Sequence, residues 1–204
     1  MMTLDLTIAL AGFAFVSQMS PGPNNFMLMA SGMNYGWLRT LPHMLGIGIG
    51  FPAMVVLVGL GVMQVFDAVP HSFSVLRILS VTYLVYLAWK IATAQPVDTD
   101  ATREGTRPLS FVQAAAFQWV NPKTWAMAVT AITAYSPQER PLGSVFFIAL
   151  VFAVIGTVTI NSWTVLGQQL RHLLRTPAAY RSFNICCALV LVMSVYPMLV
   201  RGFE

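Results

Sequence analysis

Charge is what this chain has least of: Asp, Glu, Lys and Arg make up 9% of its 204 residues, against about a quarter in an ordinary soluble domain. With 57% hydrophobic residues, it cannot build a surface that faces water. The longest polar stretch runs only from Thr93 to Ser110, which excludes a separate soluble domain. Cysteine is nearly absent, and Cys186 and Cys187 are adjacent within an apolar run, giving neither a disulfide framework nor a C-x-x-C redox pair. Packing is the role left to them, since free cysteine behaves as a small hydrophobe. Acidic residues avoid the apolar stretches: Asp5, Asp67, Glu139 and Glu204 all fall near ends, which removes a carboxylate proton relay. The same lack leaves no buried anion to compensate a cationic solute. Gly-x-Ser-x-Gly, a phosphate loop and His-Glu-x-x-His are missing, and His43, His71 and His172 have no metal-ligand spacing with a third donor. No catalytic residue, metal or cofactor is therefore expected.

What is present is apolar length. A bilayer core about 30 Å thick needs a helix of about 20 residues. Six stretches meet that demand: Leu4 to Asn34, Met44 to Phe66, His71 to Ala92, Ser110 to Tyr135, Leu142 to Leu166 and Ser182 to Val200. The segment ahead of the first has no basic residue before Arg39, which argues for a retained helix over a signal peptide. The net charge of +4 and pI near 9.4 come from scattered basic residues at the flanks of apolar runs, so membrane helices explain them better than nucleic acid does. Arg39, Lys90, Arg103, Arg107, Arg171, Arg175 and Arg181 fall on one side, against Arg77, Arg140 and Arg201 on the other. Positively charged loops stay in the cytoplasm, which puts both termini outside. Trp37, Trp89 and several tyrosines fit an interfacial belt.

The expected architecture is one membrane-embedded, all-α unit over residues 1–204, with a first repeat over about 4–92, a cytoplasmic linker over about 93–109 and a second repeat over about 110–200. Units with an odd number of spans insert in opposite orientations, the inverted-repeat arrangement of many secondary transporters. Gln18-Met19-Ser20-Pro21-Gly22-Pro23 and Gln118-Trp119-Val120-Asn121-Pro122-Lys123, one hundred residues apart, occupy corresponding places in the first and fourth spans. Proline removes a helical hydrogen bond and collides with the preceding turn, so both spans are expected to break there. Each break opens a helix N-terminus, with Ser20, Asn24 and Asn121 as candidate caps, whose N–H groups and dipole can receive a carboxylate. A simple kink in a packed helix is the plainer reading of each proline.

Lys123 is the only strongly charged residue near the centre of a span, where burial costs at least about 2.5 kcal/mol. Its ammonium can pair with a carboxylate or exchange a proton during transport; the alternative is a lysine that snorkels along the break or bonds carbonyls freed by Pro122. The candidate binding residues are Gln18, Pro21, Gly22, Pro23, Asn24, Asn25, Gln118, Asn121, Pro122 and Lys123, with Lys123 also the candidate for proton coupling. Tyr83, Thr124, Asn161 and Asn184 are further polar side chains available to a cavity or to helix-to-helix bonding. Gly46-Ile47-Gly48-Ile49-Gly50 offers small residues for close helix approach beside a broken span.

At Ser20-Pro21-Gly22-Pro23-Asn24-Asn25, and on through Ala30-Ser31-Gly32, Asn34-Tyr35-Gly36 and Leu45-Gly46-Ile47, the chain resembles the lysine-exporter (LysE) family of bacterial amino-acid exporters. Tyr83 to Lys90 and Phe117 to Lys123 look like that family's third and fourth spans. Around Leu87 to Thr93 the threonine/homoserine and cysteine/O-acetylserine branches look closer than the lysine exporter. The resemblance implies export of a small neutral amino acid across the bacterial inner membrane by proton-driven antiport, often as a homodimer. Export of basic amino acids and a membrane-embedded thiol carrier or enzyme are the competing readings. A thiol carrier requires its cysteines, so replacing Cys186 and Cys187 together by Ala is expected to leave transport unchanged; loss of transport in the cysteine-free protein would favour the carrier.

Overall fold

Among the described residues every regular element is an α-helix, the form in which a chain this apolar satisfies its backbone N–H and C=O groups without water. The computed structural model describes residues 3–62, 64, 68, 71–94, 107–136, 141–173 and 176–193. Seven helices lie within them: α1 Leu4–Met19, α2 Pro23–Gly59, α3 Ser72–Ala92, α4 Phe111–Val120, α5 Pro122–Tyr135, α6 Pro141–Leu173 and α7 Pro177–Met193. The centre of the expected linker, 95–106, and the end of the sixth stretch, 194–200, lie outside the described residues.

Local chemistry fixes several helix ends. The Thr3 hydroxyl accepts from Leu6 N at 3.3 Å to start α1. Ser110 and Gln113 form a reciprocal capping box at α4, with Ser110 Oγ accepting from Gln113 N at 3.3 Å and Gln113 Oε1 accepting from Ser110 N at 3.0 Å. Inside α2, Gly36 sits at φ 76°, ψ 171°, so the helix turns a corner at one residue. This corner corrects the expected loop between Asn34 and Met44: helix resumes directly after Gly36, and Arg39 lies in it. α6 likewise continues to Leu173 and takes in Arg171, while α7 starts at Pro177 and takes in Arg181. Basic residues near a span boundary are long enough to stay wet from within a helix, which is why apolarity alone drew these helices too short at the ends that carry Arg39, Arg171 and Arg181.

Among the described residues three segments, Pro23–Gly59, Ser74–Ala92 and Leu142–Arg171, are long and apolar enough to cross a membrane; Leu4–Met19 and Pro177–Met193 are shorter apolar helices. Burial supports a lipid setting, because the usual distribution is reversed. Leu4 and Leu38 are each 74% exposed, whereas Gln118, Asn121 and Asn184 are fully buried. Lipid tolerates the first and water would be needed by the second if they were not bonded within the bundle.

The most extensive contact joins α2 to α6. A Cβ at Gly32 would lie 2.1 Å from the Thr164 carbonyl oxygen, and one at Gly167 would lie 2.0 Å from that of Met29, so each helix lays a glycine on the other's backbone. Gly46 and Gly50 do the same for α4, with a Cβ at 2.5 Å from the Phe111 carbonyl oxygen and 2.8 Å from Ala115 Cα. Without a hydrophobic drive between helices in lipid, such close contact is what holds them. α1 packs on α6, and α3 packs on α7. Cys187 is buried in that last region and Cys186 faces outward, both as free thiols.

Gly36 offers a direct test of the corner. A Cβ there would meet nothing within 4 Å, so Gly36→Ala probes backbone strain alone. We expect it to destabilise the protein by about 1–3 kcal/mol in reversible unfolding from mixed micelles. Gly12→Ala, also in open space but inside regular helix, is expected to be neutral or stabilising by up to about 1 kcal/mol. Equal behaviour of the two variants would mean that the left-handed corner carries no strain.

Candidate functional site at two helix breaks

The helix stops at Met19 and restarts at Pro23; it stops again at Val120 and restarts at Pro122, so both expected breaks are present. Each restart has proline in its first turn, where its missing N–H is no loss. Asn121 caps α5 through its side chain, accepting from Lys123 N at 3.1 Å. The cap expected of Ser20 or Asn24 is not formed. α2 has Gly22 as its N-cap with no side-chain bond; the Ser20 hydroxyl turns back to the Ser17 carbonyl at 2.9 Å, and the Asn24 amide is engaged elsewhere. With two prolines flanking Gly22, the chain arrives extended (φ −173°, ψ 175°), and Ser20 is carried away from the first turn it was expected to cap.

Each break frees carbonyls from the helix before it, and the third residue of the helix after it reaches back to them. Asn25 Nδ2 donates to Gln18 O at 2.7 Å and to Ser20 O at 2.8 Å. Thr124 Oγ1 lies 2.5 Å from Gln118 O and 2.7 Å from Asn121 O. Trp125 Nε1 donates to Trp119 O at 2.7 Å. Both interruptions are therefore bonded internally, as the burial of Asn25, Asn121 and Thr124 requires.

Lys123 ties the two breaks together. Its Nζ donates to the Ser20 carbonyl, one hundred and three residues away in the other half. That carbonyl lies just past the C-terminal end of α1, where the helix dipole favours a cation. Among the described residues the only carboxylate is Asp5, in the first turn of α1, so the ammonium is held by backbone and not by an ion pair. Gly22 makes room for it: a Cβ there would lie 2.7 Å from Lys123 Cδ and 3.0 Å from Nζ. A second bridge between the halves is the amide pair of Asn24 and Gln118, with Asn24 Nδ2 donating at 2.9 Å and Gln118 Nε2 donating back at 3.3 Å. Gln18 Nε2 donates to Phe152 O at 3.3 Å, which anchors the end of α1 to α6.

Between the breaks lies a cavity of about 30 Å³, bounded by Gln18, Gly22, Asn24, Asn25, Asn121 and Lys123, together with Thr124, Thr159 and apolar side chains. That space suits one or two waters and is smaller than an amino acid. Two polar atoms on its wall have no partner: Asn121 Nδ2 and Thr159 Oγ1. Gln118 stands behind Asn24; Pro21, Pro23 and Pro122 shape the backbone and do not line the space. Asn161 and Asn184 are drawn off to helix-to-helix bonds, Asn161 Oδ1 accepting from Trp37 Nε1 at 2.8 Å and Asn184 Oδ1 from Asn34 Nδ2 at 3.4 Å. Tyr83 packs against the rings of Phe117 and Tyr86. Thr159 was not singled out in the sequence, where a threonine inside an apolar run carries no signal.

A protein-family model described as LysE type translocator matches residues 15–198, which includes both breaks. The chain belongs to this family. Similar proteins include a cysteine/O-acetylserine efflux protein of Escherichia coli O1:K1 / APEC, 33% identical over 195 residues that cover 94% of this chain and 96% of the relative. Those of Escherichia coli (strain K12) and Shigella sonnei (strain Ss046) are 32% identical over the same shares. No solved structure matches the chain. This LysE type translocator is thus a membrane transporter and not an enzyme, and among the branches weighed from the sequence it is the cysteine/O-acetylserine one that these relatives represent.

If Gly22 serves to seat Lys123, the two residues act as a unit. A charge-assisted bond contributes about 1.5–3 kcal/mol, so Lys123→Met is expected to slow transport about 10–100-fold in proteoliposomes. Gly22→Ala is expected to slow it comparably, and the double variant to be no slower than Lys123→Met alone. Additive losses would show that the glycine acts elsewhere.

Proposed function

We propose that this translocator exports a small neutral amino acid or derivative of the cysteine/O-acetylserine type by alternating access around the two breaks. The observation that carries this reading is the bond from Lys123 in the second break to the Ser20 carbonyl in the first, across a cavity whose wall holds unsatisfied polar atoms. A substrate carboxylate competes with that carbonyl for the ammonium, while the amides of Asn24, Asn25, Asn121 and Gln18 and the hydroxyl of Thr159 supply bonds for the rest of a zwitterion. No acid is among the described residues that line the cavity, which disfavours basic amino acids. The free space is smaller than an amino acid, so the walls must part for a solute to occupy it.

Proton coupling is assigned to Lys123. A charged donor makes a hydrogen bond roughly twice as strong as a neutral one, so loss of its proton loosens the tie between the two breaks. The arrangement proposed is six spans in two inverted repeats joined by a cytoplasmic linker, with both termini outside, in a bacterial inner membrane, and with a homodimer as the working unit. Two features support the repeat. The third residue after each break, Asn25 and Thr124, performs the same back-bonding. In addition, α1 meets α6 at Gly156 while α4 meets α2 at Gly46 and Gly50, which is the exchange of neighbours that inverted halves require.

Purified protein in proteoliposomes, tested with labelled O-acetylserine, cysteine, threonine and lysine under an imposed proton gradient, is expected to move the neutral compounds and not lysine. Failure to move any of the four in either gradient direction would remove the reading. Selective movement of lysine would replace it with a basic amino-acid exporter.

A further inference from the structure

A second cavity, of about 50 Å³, lies where α3 ends, bordered by Ala94 and by Arg107 ahead of α4, and the two-break mechanism makes no use of it. His43 is its most unusual wall. The side chain is only 2% exposed, yet neither Nδ1 nor Nε2 has a partner. Asn34, 4% exposed, also faces this space; its Nδ2 is used by the Ala30 carbonyl at 2.6 Å and by Asn184 Oδ1 at 3.4 Å, while its Oδ1 has no partner. Buried polar atoms are almost always bonded, so three unbonded ones around one cavity point to something that binds there. The rim adds charge of a single sign: Lys90 from α3 and Arg107 from the segment before α4, with no carboxylate among the described lining residues.

The distribution of donors and acceptors is that of a head group with two ends. Arg107, Lys90 and a nitrogen of His43 can donate to a carboxylate, and the vacant Asn34 Oδ1 can accept from an ammonium. We propose that this cavity is a second binding site for the zwitterionic head of an α-amino acid, reached before the cavity between the breaks. The proposal rests on the reading of the chain as an amino-acid exporter. The two cavities lie along one helix. Asn25 borders the first and Asn34 the second, nine residues or about 14 Å apart. Met27, Met44, Ile47 and Phe117 belong to one buried apolar cluster, of which Met27 borders the outer cavity and Ile47 the inner. A solute in the outer cavity must displace this cluster to advance, so binding at the rim and passage through the interior are separate steps.

Equilibrium dialysis of labelled O-acetyl-L-serine against the full chain in lipid nanodiscs tests this, with transport of the same compound measured on proteoliposomes from the same preparation. The wild type is expected to bind two equivalents and Lys123→Met one. His43→Phe and Asn34→Leu are each expected to lose the other equivalent. Arg107→Gln, at the exposed rim and remote from packing, is expected to fold normally on gel filtration and to weaken the outer site about fivefold. A single equivalent in the wild type, abolished by Lys123→Met and unaltered by Arg107→Gln, would overturn the outer site and leave the exporter reading standing. Absence of both binding and transport for O-acetylserine, cysteine and threonine would overturn the exporter reading and this proposal with it.

Discussion

One constraint organises this molecule: hydrocarbon offers no hydrogen bonds, so a helix broken at membrane depth must find replacement partners inside the protein. Pro21, Pro23 and Pro122 impose the breaks, and the side chains that follow them meet the demand. Asn25 returns to the carbonyls of Gln18 and Ser20, Thr124 to those of Gln118 and Asn121, and Trp125 to that of Trp119. Lys123 completes the set from the opposite half. The interruption and its repair share the same few residues, which is why the two short sequence stretches look so dense in amide, hydroxyl and proline.

This repair depends on helices lying unusually close. Gly32 against Thr164 and Gly167 against Met29 bring α2 and α6 to backbone contact, and Gly46 and Gly50 bring α4 onto α2. Larger residues at these points would separate the segments that carry Asn25, Thr159 and Asn121, and the cavity between them would lose its wall. Small residues thus have a positional role at the core of the bundle, while leucine, isoleucine and valine cover its outside.

Much of this was legible in the residues. Apolar length gave the helices, and Pro21-Gly22-Pro23 and Asn121-Pro122 gave the breaks within a residue or two, although Pro42 and Pro52 are carried inside α2 without one. Lys123 stood out as well: a lone charge in an apolar run is conspicuous. What could not be read is how the chain closes on itself. The corner at Gly36 requires a φ of 76°, yet in the sequence the stretch between Asn34 and Met44 reads as a connecting loop. Ser20 and Asn24 had the right chemistry for caps, but the extended backbone at Gly22 determined where they went. Thr159 and His43 gain their importance only from the helices that surround them. His43 in particular reads as an ordinary boundary histidine until its two unbonded nitrogens are seen in the fold.

The single-residue corner at Gly36 has a mechanical meaning. One residue, with a φ that glycine alone adopts without strain, sets the angle between two helical arms. The arm before the corner carries Asn24, Asn25 and Asn34, and the arm after it carries His43, Ile47 and Phe51. Each cavity takes wall residues from both arms, Asn25 and Ile47 for one and Asn34 and His43 for the other, so this one corner sets how far apart those walls stand in both.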